Sequence, residues 1–360
     1  MKSQNPRRVL LWTTAYADLL TAGPVGGIGV QMMFWAQAFQ KSGWNVFSFY
    51  AQTKPKECDI CTFIKNNEPH SVFFPLHFFV TLWILLKIKP EVVLLRGGKN
   101  RNLAFVAFWC KILGIKAVQF FASDVDFVKD YRTLTFAEMI NRRMFNWGLK
   151  RIKYFVAQND SQQAQLQKLI TTANPIIIPN IWGEVGEANH DEEKVILWVG
   201  NTRSLKRPQW VFEIAKDFPE ENFVLIGGNA DPKVYDECVS LAADSDNVRF
   251  LGGLPFSETN EWFSKAKVLL CTSEYEGFPN TFLQAWSNGV PVLSTVNPGN
   301  RITDKNLGFV CNDINEFKEM LRAILEKERY SKCQDAINRY FAEAHSLNFN
   351  YKKLTSFLGV

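Results

Sequence analysis

The stretch Ser273–Ser294, SEYEGFPNTFLQAWSNGVPVLS, sets a carboxylate, a Gly-Phe-Pro turn, a short helical pattern and an apolar strand side by side. Glu276 is a carboxylate at the mouth of a helix, where it could accept hydrogen bonds from ligand hydroxyls. With Asn280 as the cap of a helix over Thr281–Ser287, the backbone N–H groups of Gly277–Asn280 point toward the same place, and Gln284 lies on the first turn. Gly289 ends that helix. Further upstream, Trp198–Pro208 (WVGNTRSLKRP) puts Arg203, Lys206 and Arg207 just beyond an apolar strand that ends at Gly200, with Pro208 at the head of a helix. A lysine point charge and arginine forks suit a diphosphate. Simple capping and a solvated basic turn are the competing readings of these residues.

A glycine cluster, Gly26-Gly27-Ile28-Gly29, precedes a helix expected to open near Val30. Glycines there let backbone approach an anion at a helix N-terminus, although the spacing is not that of a dinucleotide fingerprint and a plain turn fits equally. Asp124, in Asp124-Val-Asp126, follows the strand Ala117–Ala122 and is a candidate to bind an acceptor or donor hydroxyl; helix capping is its alternative. No metal set emerges: Cys58 and Cys61 form a CxxC with no second pair, and the four histidines fall in no catalytic spacing. Seven scattered cysteines suit a reducing cytosol, and no secretory leader is read at Met1–Leu11.

These residues need a scaffold, and the chain supplies strand–helix alternation twice. Front-half strands are expected at Val9–Thr14, Val46–Tyr50, Val92–Leu95, Ala117–Ala122, Tyr154–Gln158 and Ile176–Ile178. Helices lie between them, as at Val30–Ser42, Asn102–Leu113 and Phe136–Leu149. Back-half strands are expected at Val195–Val199, Phe223–Ile226, Val248–Leu251, Val268–Cys271, Val290–Ser294 and Gly308–Val310. Such alternation makes parallel sheets covered by helices on both faces, with ligands at the carboxyl ends of the strands. The expected class is α/β, two doubly wound Rossmann-like domains facing a central cleft. The first domain spans residues 1–179, a polar linker 180–194, and the second domain 195–344, with a last helix over about 345–360 returning to the first domain.

Charge is uneven. Residues 1–185 hold 22 Lys+Arg against 11 Asp+Glu, while the remainder is acidic. A basic front half suggests an anionic partner, though scattered solubilising lysines fit as well. The most apolar run, Ser71–Lys87, is shorter than a membrane span and reads as a buried core helix rather than a membrane-touching one. Nothing resembles a nucleic-acid-binding motif.

Taken together, Val199-Gly200 with Lys206, then Glu276-Gly-Phe-Pro-Asn-Thr-Phe-Leu-Gln-Ala285, then Gly289-Val-Pro-Val292, resemble the retaining GT-B glycosyltransferases of family 4. Ile226-Gly-Gly228 and Phe250-Leu-Gly-Gly253 extend the likeness through the back half; Arg96 and the Gly26–Gly27 loop extend it more loosely through the front. The resemblance implies transfer of a sugar, with retention and without a cofactor or metal, from a nucleotide-diphosphate sugar (UDP- or GDP-linked) to a glycan or polyprenyl-diphosphate-linked acceptor in bacterial surface-polysaccharide synthesis. It implies that Lys206 holds the diphosphate, Glu276 faces the donor sugar, and Gly277, Phe278, Pro279 and Asn280 bind sugar and phosphate. Gln284 stands where the family has a ribose-binding acid. Arg203 replaces an arginine absent at Asn201, Gly200 opens the phosphate turn, and Gly26 and Gly27 close on the phosphates. The acceptor goes to the front domain, and the expected station is cytoplasmic, peripheral on the inner face of the plasma membrane. A nucleotide-sugar epimerase of the same architecture and a non-catalytic nucleotide-sugar binding protein are the alternatives.

Overall fold

The computed structural model describes residues 6–20, 27–51, 53–55, 58–65, 74–97, 102–121, 136–183, 194–276 and 278–360. The chain divides into two units, one of Met1–Ile181 with Leu347–Val360, the other of Trp182–Ser346.

The first unit is built on β1 (Arg8–Leu11), β2 (Asn45–Tyr50), β3 (Thr62–Lys65), β4 (Val92–Arg96), β5 (Lys116–Phe120), β6 (Tyr154–Ala157) and β7 (Ile176–Ile177). All pair in parallel in the order β3-β2-β1-β4-β5-β6-β7. Its helices are α1 (Ala15–Leu20), α2 (Gly27–Lys41), α3 (Phe74–Ile88), α4 (Asn102–Leu113), α5 (Phe136–Leu149) and α6 (Asp160–Leu169). The apolar run of β4 is buried over Val92–Leu95, as a strand covered on both faces must be. Asn159 caps α6 by accepting from the Gln162 backbone N–H at 2.8 Å.

The second unit repeats the plan. Its strands are β8 (Val195–Val199), β9 (Phe223–Ile226), β10 (Val248–Phe250), β11 (Ala266–Cys271), β12 (Val292–Ser294) and β13 (Gly308–Val310), ordered β10-β9-β8-β11-β12-β13 and all parallel. Around them lie α7 (Gln209–Ala215), α8 (Pro232–Ala243), α9 (Phe256–Ser264), α10 (Asn280–Trp286), α11 (Arg301–Asp304), α12 (Ile314–Leu325) and α13 (Lys327–Ala344). The last helix, α14 (Leu347–Leu358), belongs to the first unit, where Tyr351 meets Phe39 edge-on at 5.1 Å and Lys353 Nζ donates to the Ile177 carbonyl at 2.8 Å. Both sheets reverse their winding beside the first strand, between β1 and β4 and between β8 and β11. Loops leaving the carboxyl ends of those pairs straddle a topological switch point, where doubly wound sheets bind ligands.

Several expectations change. The short β3 was not foreseen; within it only Phe63 is buried, too little to give a period. Helix α2 begins at Gly27 rather than near Val30, so Gly27 is the first residue of the helix. A Cβ on Gly29 would lie 2.4 Å from the Ala15 carbonyl oxygen, so this glycine lets α1 approach α2. The start of the expected linker is anchored. Ile181 is fully buried, with its backbone N–H and carbonyl both bonded to the Gln31 side chain at 2.9 Å, and the Trp182 N–H reaches the His345 carbonyl. Apolar side chains outweigh polar neighbours there; residues 184–193 lie outside the described residues. The run expected to be a buried core helix forms α3, but only one side is buried, through Ile84, Leu85 and Ile88. Leu76, Phe79, Trp83 and Leu86 are exposed.

Candidate functional site

A cavity of about 290 Å³ opens at the β8/β11 switch point. One wall is the end of β8 and its loop, with Trp198, Gly200, Asn201 and Lys206; the other is the end of β11 and the start of α10, with Ser273, Glu276, Phe278 and Asn280. Lys206 closes a short 3-10 turn over Ser204–Lys206, and the turn carries its side chain inward. Its ammonium contacts a carboxylate oxygen of Glu276, both side chains being about four-fifths buried. The Ser273 hydroxyl donates to the same oxygen at 3.1 Å. Glu276 is therefore anchored on its own loop as well as by Lys206.

Thr272 ties the two walls together. Fully buried, its hydroxyl donates toward the Lys206 carbonyl at 2.7 Å and accepts from the Trp198 indole N–H at 3.0 Å. Its own carbonyl accepts from Arg207 Nε at 2.8 Å, and the Glu274 N–H donates to the Leu205 carbonyl. On the other side of β8, a Cβ on Gly227 would stand 2.3 Å from the Gly200 carbonyl oxygen, so this glycine lets the loop after β9 approach the loop after β8. Neither Ser273 nor Thr272 stood out in the sequence. The usable signal was a pair of small polar residues directly after the apolar run of β11, at a strand's carboxyl end.

Of the three expected cations, only Lys206 lines the cavity. Arg203 precedes the 3-10 turn in extended conformation and is exposed. Arg207 adopts a left-handed backbone (φ 47°) and lays its guanidinium over Trp210 at 4.2 Å, a packing role. Asn280 is the first residue of α10 rather than its cap. Pro279 occupies the cap position, and no side chain caps the helix. Gln284 is buried, 5% exposed, and does not line the cavity. Cys271 does line it, but burial pushes its thiol above the ordinary cysteine range, so it is no ready nucleophile.

Phe278 is held from behind. Its ring meets His345 at 5.8 Å and Trp286 at 6.2 Å, Trp286 meets Tyr340 edge-on, and the Arg301 guanidinium lies 5.7 Å over Phe278. His345, given no role from its sequence position, is fully buried in this cluster. The structure thus brings together Gly200, Lys206, Glu276, Phe278, Pro279 and Asn280 and leaves Arg203 and Gln284 outside the cavity. Gly26, Asp124 and Gly277 lie outside the described residues.

Residues 193–327 match the family model described as Glycosyl transferases group 1. The chain is 24% identical over 200 residues to the lipopolysaccharide 1,6-galactosyltransferase of Salmonella typhimurium, a match spanning 51% of this chain and about half, 54%, of that protein. Among solved structures, sucrose-phosphate synthase from Thermosynechococcus elongatus superposes with a TM-score of 0.70 at 15% identity, covering 98% of this chain and 99% of that one. UDP-GlcNAc 2-epimerase from Neisseria meningitidis, bound to UDP-GlcNAc, gives 0.64 at 14% identity, covering 98% and 99%. The fold is GT-B, two Rossmann-like domains with parallel sheets.

Proposed function

We propose that the protein is a glycosyltransferase of hexosyltransferase type that takes its sugar from a nucleoside-diphosphate donor bound at the β8/β11 switch point. One observation carries this: Lys206 and Glu276 meet in a cavity between the two switch-point loops of the unit that matches the group 1 glycosyltransferase model. On donor entry the pair separates. Lys206 turns to the diphosphate, whose negative charge grows as the bond to the anomeric carbon breaks; Glu276, still held by Ser273, accepts from sugar hydroxyls. In this reading Lys206 supplies the positive charge that the leaving group needs. The acceptor oxygen forms its bond to the anomeric carbon on the face the diphosphate leaves, and its proton passes to the departing phosphate oxygen, so configuration is retained. Gly200 and Asn280 border the diphosphate. Asp124, Gly26 and Gly277 keep the roles that the resemblance implies.

The donor is a UDP- or GDP-sugar. The acceptor is a glycan or lipid-linked glycan of a bacterial surface polysaccharide, a reading supported by the lipopolysaccharide galactosyltransferase likeness. A thermal-shift series with UDP-, GDP-, ADP- and dTDP-sugars tests the donor class, because a ligand bound only to the folded state raises the melting temperature. Lys206→Ala and Glu276→Ala should each lower turnover about 100-fold or more with the fold intact. Near wild-type rates in both would sink the assignment. The likeness to an epimerase supports one second reading, isomerisation of the donor without an acceptor. Formation of an epimer from UDP-sugar alone would favour it.

A further inference from the structure

Another cavity, about 450 Å³, lies in the first unit, between the turn after α4 and the turn after α5. Four of its lining residues are cations: Lys111, Lys116, Arg151 and Lys153. Among the described residues no carboxylate is ion-paired with any of them. Lys116 is fixed by the carbonyls of Leu358 and Gly359, at 2.8 and 3.1 Å, while Lys111 and Lys153 are exposed. Arg151 stacks 3.2 Å over the ring of Trp147 and donates to its carbonyl at 2.9 Å.

Trp147 starts an aromatic band that leads away from this cavity. It stacks on Phe108 of α4 at 6.1 Å; Phe108 meets Phe78 of α3 at 5.2 Å, and Phe78 meets Phe79 at 5.6 Å. On α3 the residues Leu76, Phe79, Trp83 and Leu86 are 48%, 60%, 58% and 49% exposed. Their spacing puts them on one face of the helix. Lys87 covers Trp83 at 4.7 Å, and Ile112, 59% exposed, stands beside Lys111 at the rim of the cavity. Helices α3 to α5 and the turns after them contain two acids, Glu91 and Glu138, against eight Lys and Arg, and Glu91 is ion-paired with Arg7 at 3.2 Å.

Large apolar side chains exposed together mark an interaction surface. Aromatic and leucine side chains flanked by lysine and arginine match the boundary between lipid headgroups and acyl chains. No described helix is long and apolar enough to cross a membrane. A second copy of the chain would set these cations against one another, which disfavours self-association. We infer that the α3–α5 face docks on an anionic phospholipid bilayer, with Leu76, Phe79, Trp83 and Leu86 entering its surface and the Lys111–Lys153 cavity receiving a lipid phosphate. None of these residues is assigned to the donor or acceptor above, so the inference stands or falls independently of the reaction proposed above.

Co-sedimentation of the full chain with vesicles of phosphatidylcholine, alone or mixed with phosphatidylglycerol, tests it. The wild-type protein should bind the anionic vesicles about tenfold better or more, and lose binding as salt rises. Phe79→Ser with Trp83→Ser should abolish binding to both. Lys111→Glu with Lys153→Glu, both at exposed positions, should remove the preference for anionic vesicles. Both variants should keep the wild-type melting temperature and donor-induced shift, and Lys153→Glu alone serves if a double variant fails to fold. Equal or absent binding to the two vesicles by the wild type overturns the inference. So does anionic preference in the charge-reversed protein, or a dimer in sedimentation velocity that disappears in Phe79→Ser/Trp83→Ser.

Discussion

At the carboxyl ends of β8 and β11 the chain places Lys206 and Glu276 in one cavity; at the matching ends of β1 and β4 it places Thr13 and Arg96. The strand order around the two pairs is the same. In the second unit the loops leave a charged pair facing a cavity. In the first, the described residues turn back on their own unit: the Thr13 carbonyl accepts from Ser48 Oγ at 2.9 Å, and Arg96 donates to Asn180 Oδ1 at 2.5 Å. Among the described residues of the first unit, cations and exposed aromatics gather on its helices α3 to α5. Topology marks where a ligand can bind, and the side chains that follow β8 and β11 put a charged pair at one such place.

This contrast can be broken most forcefully in the aromatic cores. Trp286 is 1% exposed and supports Phe278, while Trp35, equally buried, packs on Phe120 in the first unit. Trp286→Ala and Trp35→Ala should each cost about 3–5 kcal/mol in chemical unfolding. Only Trp286→Ala should also weaken the donor-induced thermal shift, because only Trp286 backs the wall of the donor cavity. Equal loss of the shift in both variants would erase the distinction between the units.

Gln284→Glu gives a smaller effect and a sharper answer. At a position 5% exposed and off the cavity, a new carboxylate should cost about 1–3 kcal/mol near neutral pH. Burial raises its folded pKa above the unfolded value. The folded state is then favoured below the ordinary glutamate range, and stability falls as pH rises through the raised value. Unfolding midpoints across pH test this. Tighter donor binding at full stability would instead restore Gln284 as a ribose contact.

The mildest test is Asp217→Asn. Hydrogen bonding from Lys318, with help from Arg322, holds the Asp217 carboxyl below its usual range. Its folded pKa is depressed, so the stability it adds is present above the ordinary aspartate value and fades as pH falls through the lowered one. The variant should melt slightly below wild type near neutral pH, and the difference should vanish in acid. A gap that persists in acid would assign the effect to packing.

Much of this was legible beforehand because strands buried on both faces need unbroken apolar runs. Val195–Val199, Phe223–Ile226 and Gly308–Val310 agree with β8, β9 and β13 residue for residue, and the loops that carry Arg203, Lys206, Arg207 and Glu276 stood out as charged segments beyond such runs. The sequence by itself determined the parallel α/β class, the doubling of the plan and the loops able to carry chemistry, since each depends on local period and composition. Tertiary structure alone decided that Lys206 faces the cavity while Arg203 and Arg207 do not, because a three-residue turn and one left-handed residue aim those side chains. It also decided that Gly29 serves helix packing, that Ile181 is buried at the head of an expected linker, and that Leu76, Phe79, Trp83 and Leu86 of α3 stay exposed. Which neighbours cover a residue depends on contacts between distant parts of the chain, and no local pattern records them.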